Sequence, residues 1–246
     1  MNTILIAGAS RGIGRATAEK LRKKGSSLVL SSRTQRSLEE AYSGSDVSDL
    51  AFIPCDFALP ENIEPFADQV QKQVGGISGL VYCAGAQKTA PLSQCKPADI
   101  RQLFELNTFS AFELVRCFSK KSRISENGAS FVLISSLAAH EGAIGKTIYA
   151  ATKGALEGFL PAAAAELAPR GIRLNIVVPG VIQTDMSMEF INKMTAEQRA
   201  NLEQGYPLGL GSPEDAAHLI AFLLSEESRW ITGQTFVLDG GHSIKG

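Results

Sequence analysis

The chain has no apolar run approaching the ~18 residues of a membrane-spanning helix, so no span and no membrane partner are expected. It has almost no net charge, −1 from 24 basic and 25 acidic residues. No whole-molecule field therefore exists to attract nucleic acid. Four cysteines, Cys55, Cys83, Cys95 and Cys117, lack metal-type spacing, and no metal is expected. They suit free thiols in a reducing cytosol, so a cytoplasmic location is expected. The first residues lack a basic segment and a cleavage site and read as a buried strand, not a signal peptide. No Gly/Ser/Pro linker, low-complexity tract or repeat divides the chain, so a single domain over residues 1–246 is expected.

What is present is alternation. Short apolar runs fall at residues 4–7, 28–30, 50–53, 80–82, 131–134, 174–178 and 235–238. Such runs suit strands buried on both faces of a parallel sheet. Amphipathic stretches separate them at 12–24, 60–74, 99–119, 148–167 and 214–224. The expected fold is α/β, a single-domain Rossmann-like doubly wound parallel sheet flanked by helices. The long strand-free stretch 180–233 is expected to lay helices over a site, with a substrate lid within about 186–212. Pro161 inside the 148–167 helix cannot donate to the Glu157 carbonyl and predicts a kink. The alanines at 162–165 suit close packing, either within the chain or between subunits.

The chemistry clusters at Tyr149, Lys153 and Ser136. Tyrosine and lysine four apart share one helix face, and a nearby ammonium makes a phenol easier to deprotonate. The pair predicts a proton donor and acceptor. At the other end of the chain, Gly8, Ser10, Arg11, Gly12, Ile13 and Gly14 join the first strand to a helix. Small residues there let a pyrophosphate approach free N–H groups at a helix N-terminus. After the second strand, where readers of a ribose diol commonly carry an acid, this chain has Ser32 and Arg33. Arg11 and Arg33 suit a 2′-phosphate, which predicts NADP(H). Asp56 suits either an adenine amino group or a helix cap near Pro60.

With these residues, the chain resembles the short-chain dehydrogenase/reductase family along nearly its whole length. The resemblance rests on the glycine loop, Asp56, Asn107, Ser136, Tyr149 with Lys153, Pro179-Gly180 with Thr184, and Ile231-Thr232-Gly233-Gln234 before Asp239-Gly240-Gly241. Within the family it looks most similar to 3-oxoacyl-(acyl-carrier-protein) reductases. The resemblance implies that Ser136 holds a substrate carbonyl and that Tyr149 donates its proton. Lys153 would bind the nicotinamide ribose and lower the tyrosine pKa, and Asn107 would hold a water beside Lys153. It also implies cofactor contacts from Ala84, Gly85, Pro179, Gly180, Val181, Ile182 and Thr184. A small carbonyl or alcohol is the implied substrate, either a 3-oxoacyl chain on a carrier protein or a sugar, polyol or other small alcohol. A non-catalytic NADP(H)-sensing protein is a further alternative. Carrier docking would use basic residues in the regions of Lys120, Lys121, Arg123 and Arg170. A homotetramer paired through the 99–119 and 148–167 helices is also implied. Ala7 stands where the family usually has a turn-bracing threonine, and Tyr82-Cys83 where it has two asparagines. His140, in a loop near Ser136, reads either as a substrate contact or as a solvated side chain.

Overall fold

Alternation within each apolar run decides which layer it feeds. In β1 (Thr3–Ala7), Leu5 and Ala7 join one core and Ile4 and Ile6 the other. This is the two-residue period of a strand buried on both faces. The computed structural model describes residues 2–47 and 49–244; Met1, Ser48, Lys245 and Gly246, part of the expected 1–246 domain, lie outside the described residues.

From β1 the chain enters α1 (Gly12–Lys23), then β2 (Ser27–Ser31), α2 (Gln35–Ala41), β3 (Leu50–Phe52), α3 (Ile63–Val74) and β4 (Gly79–Tyr82). It continues through α4 (Pro97–Phe104), α5 (Ser110–Phe118), β5 (Ala129–Ile134), α6 (Thr147–Leu167) and β6 (Ile172–Pro179). Then follow α7 (Asp185–Ile191), α8 (Ala196–Gln204), α9 (Pro213–Leu223) and β7 (Thr235–Leu238). The strands form one parallel sheet in the order β3-β2-β1-β4-β5-β6-β7, as the alternating pattern predicts.

One core packs that sheet against α3, α5 and α6, through residues such as Val70, Leu114, Phe118, Leu156 and Leu160. The other packs it against α1 and α9, through Ala18, Leu21, Ala216 and Ile220. Each large apolar side chain fully buried contributes about 1.5–3 kcal/mol. In α3 the buried set is Ile63, Phe66, Ala67 and Val70, the i, i+3, i+4, i+7 stripe of an amphipathic helix. The short α2 has Leu38 as its buried residue, and no such stripe announces it.

One helix departs from expectation. The 99–119 stretch is three pieces: α4, a wide π turn over Glu105–Phe109, and α5. By contrast α6 continues through Pro161 as one helix. Pro161 is exposed there, and the alanines after it divide, Ala163 and Ala164 inward, Ala162 and Ala165 outward. Among the described residues no helix is long and apolar enough to cross a membrane. The four cysteines are free thiols.

Candidate active site

β1 is flanked by β2 on one side and β4 on the other. The chain order reverses there, and loops leaving the strand ends on either side diverge into a crevice. A cavity of about 690 Å³ opens at this carboxyl edge. Its lining includes every site residue expected from sequence except Asn107.

One end of the cavity is walled by backbone. Gly8 has φ +86°, and a Cβ there would sit 2.6 Å from the Ala84 amide nitrogen. Glycine alone admits both that dihedral and that approach. A Cβ on Gly14 would lie 2.1 Å from the Gly8 carbonyl oxygen. The amides of Gly8 and Ala9 both donate to the Ser31 carbonyl, at 2.8 and 2.9 Å. The Tyr42 hydroxyl donates to the Ala9 carbonyl at 2.8 Å. These bonds brace the turn without the threonine that Ala7 replaces. Arg11 precedes α1 with no side-chain cap, and the first turn holds no acid, which leaves the helix N-terminus chemically suited to an anion.

β2 ends at the fully buried Ser31, whose hydroxyl has no hydrogen-bond partner among the described residues. The Ser32 hydroxyl is tied to the start of α2 through Ser37, at 2.6 Å. Arg33 projects into solvent with Nε 3.9 Å from Asp56. An acid does stand beside this arginine: β2 and β3 are neighbours, so Asp56 emerges next to Arg33. A long exposed pair contributes at most about 1 kcal/mol, and the guanidinium remains available. Asp56 also accepts from the Ala58 amide at 3.0 Å, closing its own turn; it does not cap the Pro60 turn, where Leu59 holds the N-cap position.

At the middle of the cavity, Ser136 leaves β5 with extended backbone, and its hydroxyl accepts from the Ala138 amide at 3.3 Å. Tyr149 lies beside it, near enough for the hydroxyl to favour the phenolate. Lys153 is 5% exposed; its Nζ donates to the Ile134 carbonyl at 2.8 Å and lies 5.9 Å from the centre of the Tyr149 ring. Burial pushes Lys153 down to about 8, against a smaller upward pull from Cys83. Burial raises Tyr149 above the ordinary phenol range, and the Ser136 hydroxyl pulls it back. The Lys153 ammonium is directed at the Ile134 carbonyl.

Asn107 is fully buried behind this wall, in the π turn. Its Nδ2 donates to the Ala86 carbonyl and the Thr152 hydroxyl, at 2.9 and 3.0 Å, while its Oδ1 accepts from the Ala86 amide at 2.9 Å. Asn107 thereby ties the loop after β4 to α6. A Cβ on Gly85 would crowd Asn107 Oδ1 at 3.2 Å and reach 3.5 Å from Lys153 Nζ. The departure at Tyr82-Cys83 is filled by packing. Tyr82 is fully buried, edge-on to Phe57 at 5.8 Å, and its hydroxyl donates to the Leu106 carbonyl. Burial pushes the Cys83 thiol up to about 12, despite the Lys153 ammonium.

β6 runs out through Pro179, Gly180, Val181 and Ile182 to Thr184, whose hydroxyl caps α7 by accepting from the Ser187 amide at 3.4 Å. The Val181 amide donates to the Tyr206 hydroxyl at 3.1 Å. Sequence reasoning misses Tyr206, 25 positions away. It also misses Glu141, Lys146 and Leu202, which wall the far end of the cavity beside Met186, Phe190 and Ile191. Behind Tyr206 stacks His242, with ring centres 4.4 Å apart. His242 Nδ1 lies 2.7 Å from the Gly205 carbonyl and Nε2 2.8 Å from Glu141.

Other expected contacts fall elsewhere. His140 is exposed, as its solvated reading expects, and pairs with Glu157 at 2.7 Å, which in turn accepts from Ser135 at 2.7 Å; it is not among the cavity-lining residues. Lys120 and Arg123 are engaged by Glu64, at 2.6 and 2.7 Å, and Arg123 also by Asp68. Lys120, and after it Cys117 and Arg123, hold Glu64 well below the usual carboxylate range. Arg170 donates to the Ser119 carbonyl. Lys120, Lys121 and Arg123 precede β5 and Arg170 precedes β6, so this group lies at the amino edge of the sheet, away from the mouth of this chain's cavity. Glu64, Glu113 and Cys117 come within 4.8 Å of one another, yet Arg116, Lys120 and Arg123 already occupy Glu64.

Comparison with known proteins agrees with this geometry. Residues 8–243 match the family model described as enoyl-(acyl carrier protein) reductase. The chain is 34% identical to carbonyl reductase family member 4 of Xenopus laevis, over 95% of this chain and 94% of that one. It is 33% identical to the human 3-oxoacyl-(acyl-carrier-protein) reductase, over 95% and 94%. Among solved structures it is similar to a short-chain dehydrogenase/reductase of Brucella melitensis, at 32% identity and TM-score 0.90 over 98% and 96% of the two chains. It is also similar to ElxO with NADP bound, at 26% identity and TM-score 0.87 over 99% of each. The chain belongs to the short-chain dehydrogenase/reductase family of oxidoreductases.

Proposed function

We propose that this chain is an NADP(H)-dependent carbonyl reductase that makes a secondary alcohol, with Tyr149 as the proton donor. The observation that carries the reading is the placement of Ser136, Tyr149 and Lys153 on the wall of the cavity whose other end is the Gly8–Gly14 contact at a helix N-terminus. The residues fit a dinucleotide: side chains are excluded where a pyrophosphate must approach, the first turn of α1 holds no acid, and Arg11 and Arg33 offer cations for a 2′-phosphate.

When bound, the nicotinamide supplies a hydride to the substrate carbonyl carbon. Ser136, oriented by the Ala138 amide, donates to the substrate oxygen and fixes its position. Tyr149 delivers its proton to that oxygen as charge develops on it. Lys153, buried as a cation, stabilises the phenolate left behind and holds a ribose hydroxyl. Asn107 keeps the Ala86 loop and α6 in register around these groups.

Reduction is the favoured direction. A 3-oxoacyl chain on a carrier protein is the substrate that the named relatives suggest, and the apolar wall of Met186, Phe190, Ile191 and Leu202 suits it. A sugar or other small alcohol is favoured instead by the polar Gln87, Glu141 and Lys146 of the same wall. We take 186–212 as the substrate lid, the cytoplasm as the compartment on the strength of the free thiols, and a homotetramer as the assembly. Phe109 is 51% exposed, and Ala151, Gly158, Ala162 and Ala165 leave the outer face of α6 bare; both features suit a subunit contact.

The test follows NADPH absorbance over a panel that includes an acetoacetyl thioester, the same acyl group on a carrier protein, and keto-sugars. The reading expects turnover of at least one ketone by the wild type and none by Tyr149→Phe. Turnover by neither, with NADPH bound normally, would leave only the sensing role.

A further inference from the structure

Lys146 closes the loop before α6 and lines the substrate end of the cavity. It precedes Tyr149 by three residues, which places it one turn away on the same side as the catalytic pair. Its side chain is half-buried, and no acceptor lies within hydrogen-bond distance of Nζ among the described residues. The contact it does make is to the Phe190 ring of α7, 6.0 Å from the centroid. Burial lowers its pKa, and Glu141 is the charge that opposes this.

Glu141 is the obvious partner, yet it is drawn elsewhere. Its carboxylate sits 2.8 Å from His242 Nε2. The same ring is anchored by Nδ1 on the Gly205 carbonyl and by its stack on Tyr206. The other cations on the cavity wall are committed or distant. Lys153 bonds the Ile134 carbonyl, and Arg11 and Arg33 belong to the glycine-loop end. A half-desolvated ammonium without an acceptor is costly. It gains most from an anionic acceptor that arrives with a ligand, because charge-assisted bonds are the strong ones.

We propose that Lys146 binds an acidic group of the substrate, a carboxylate a few bonds from the reacting carbonyl, so that this enzyme prefers oxo acids over their neutral counterparts. The inference rests on the carbonyl-reductase reading of the same cavity. The Phe190 ring faces the ammonium from the lid side and the lysine is half-buried, so the ion pair forms partly out of water, where it is stronger than on a surface.

The probes are acetoacetate and levulinate, each against its methyl ester. With NADPH, the wild type is expected to show a kcat/KM for the acids about ten- to a hundred-fold above the esters. The difference should lie mainly in KM, as for a contact kept from ground state to transition state. That preference collapses in Lys146→Gln and survives in Lys146→Arg. Calorimetry of acetoacetate on the NADP⁺ complex, which cannot react, reads the same contact without turnover. Tighter binding to the wild type and to Lys146→Arg than to Lys146→Gln supports the proposal. Equal binding to all three, or a preference that Lys146→Gln retains, overturns it. If no ketone is reduced, the reductase reading fails on its own and the calorimetry still judges the lysine.

Discussion

The two ends of the cavity are built from different material. The glycine-loop end is backbone: Gly8 and Gly14 exclude side chains, and the Ser31 carbonyl gathers two amides. The lid end is side chain: Phe190, Leu202, Tyr206, Glu141 and Lys146 come from three separated segments. Backbone walls accept one ligand shape and are intolerant of added atoms. Side-chain walls can change identity without disturbing the sheet. The contrast explains how one fold keeps its cofactor while its substrates diverge.

The largest expected effect lies where the two ends meet. Tyr149→Phe should lower kcat by about 10²–10⁴-fold, the usual value of a positioned proton donor, while NADPH titration by fluorescence shows nearly unchanged affinity. A variant with similar kcat would mean that the proton comes from the lid end.

Lys153 sharpens the comparison next, through stability. Its folded pKa is depressed to about 8 from an ordinary 10.5. Below pH 8 the fold therefore carries the full cost of a buried ammonium, and that cost fades as pH rises toward 10.5, since the unfolded chain holds the proton longer. Thiols with raised pKa act in the opposite direction above pH 9, with Cys55, Cys83 and Cys117 each pushed to about 12. A difference between Lys153 variants cancels Cys55 and Cys117, whose shifts do not involve Lys153, and leaves only the Cys83 coupling. Urea unfolding should show Lys153→Met more stable than wild type by on the order of 3 kcal/mol at pH 7, with the gap shrinking toward pH 10. A gap that is constant with pH would show that the lysine is not the titrating group.

At the glycine-loop end, Arg33→Ala should weaken NADPH about ten- to a hundred-fold and leave NADH nearly as it was. Equal loss for both cofactors would assign Arg33 to structure. The smallest effect belongs to the bracket behind Tyr206. His242→Ala frees Glu141 and the Gly205 carbonyl, and should lower Tm by about 2–4 °C for each kcal/mol lost, read by calorimetry, with a few-fold change in KM.

The same contrast governs what could be read in advance. The sheet was legible because seven apolar runs carry their own period, and the glycine loop because its residues are contiguous. Ser136, Tyr149 and Lys153 are close in sequence and stayed close in space. Tyr206 and His242 were not legible: they reach the cavity through a stack and three hydrogen bonds to residues 25 to 101 positions away. The basic group at Lys120 and Arg123 looked like a docking patch because its counter-ion, Glu64, lies more than fifty residues upstream. The α2 helix carries one buried side chain and too little periodicity to register.

The π turn at Glu105–Phe109 makes one helical rod serve two clients. Each residue of an α-helix turns the axis by about 100°, so one surplus residue there resets the phase of everything after it. Before it, Leu103 is buried; after it, Ala111, Leu114, Val115 and Phe118 meet the sheet. Asn107 sits at the point where the phase changes. Removing a single residue from this stretch would therefore act as a twist and not as a local gap: either the amide leaves the Ala86 loop, or the apolar stripe of α5 rotates off the core, and no point substitution could restore both.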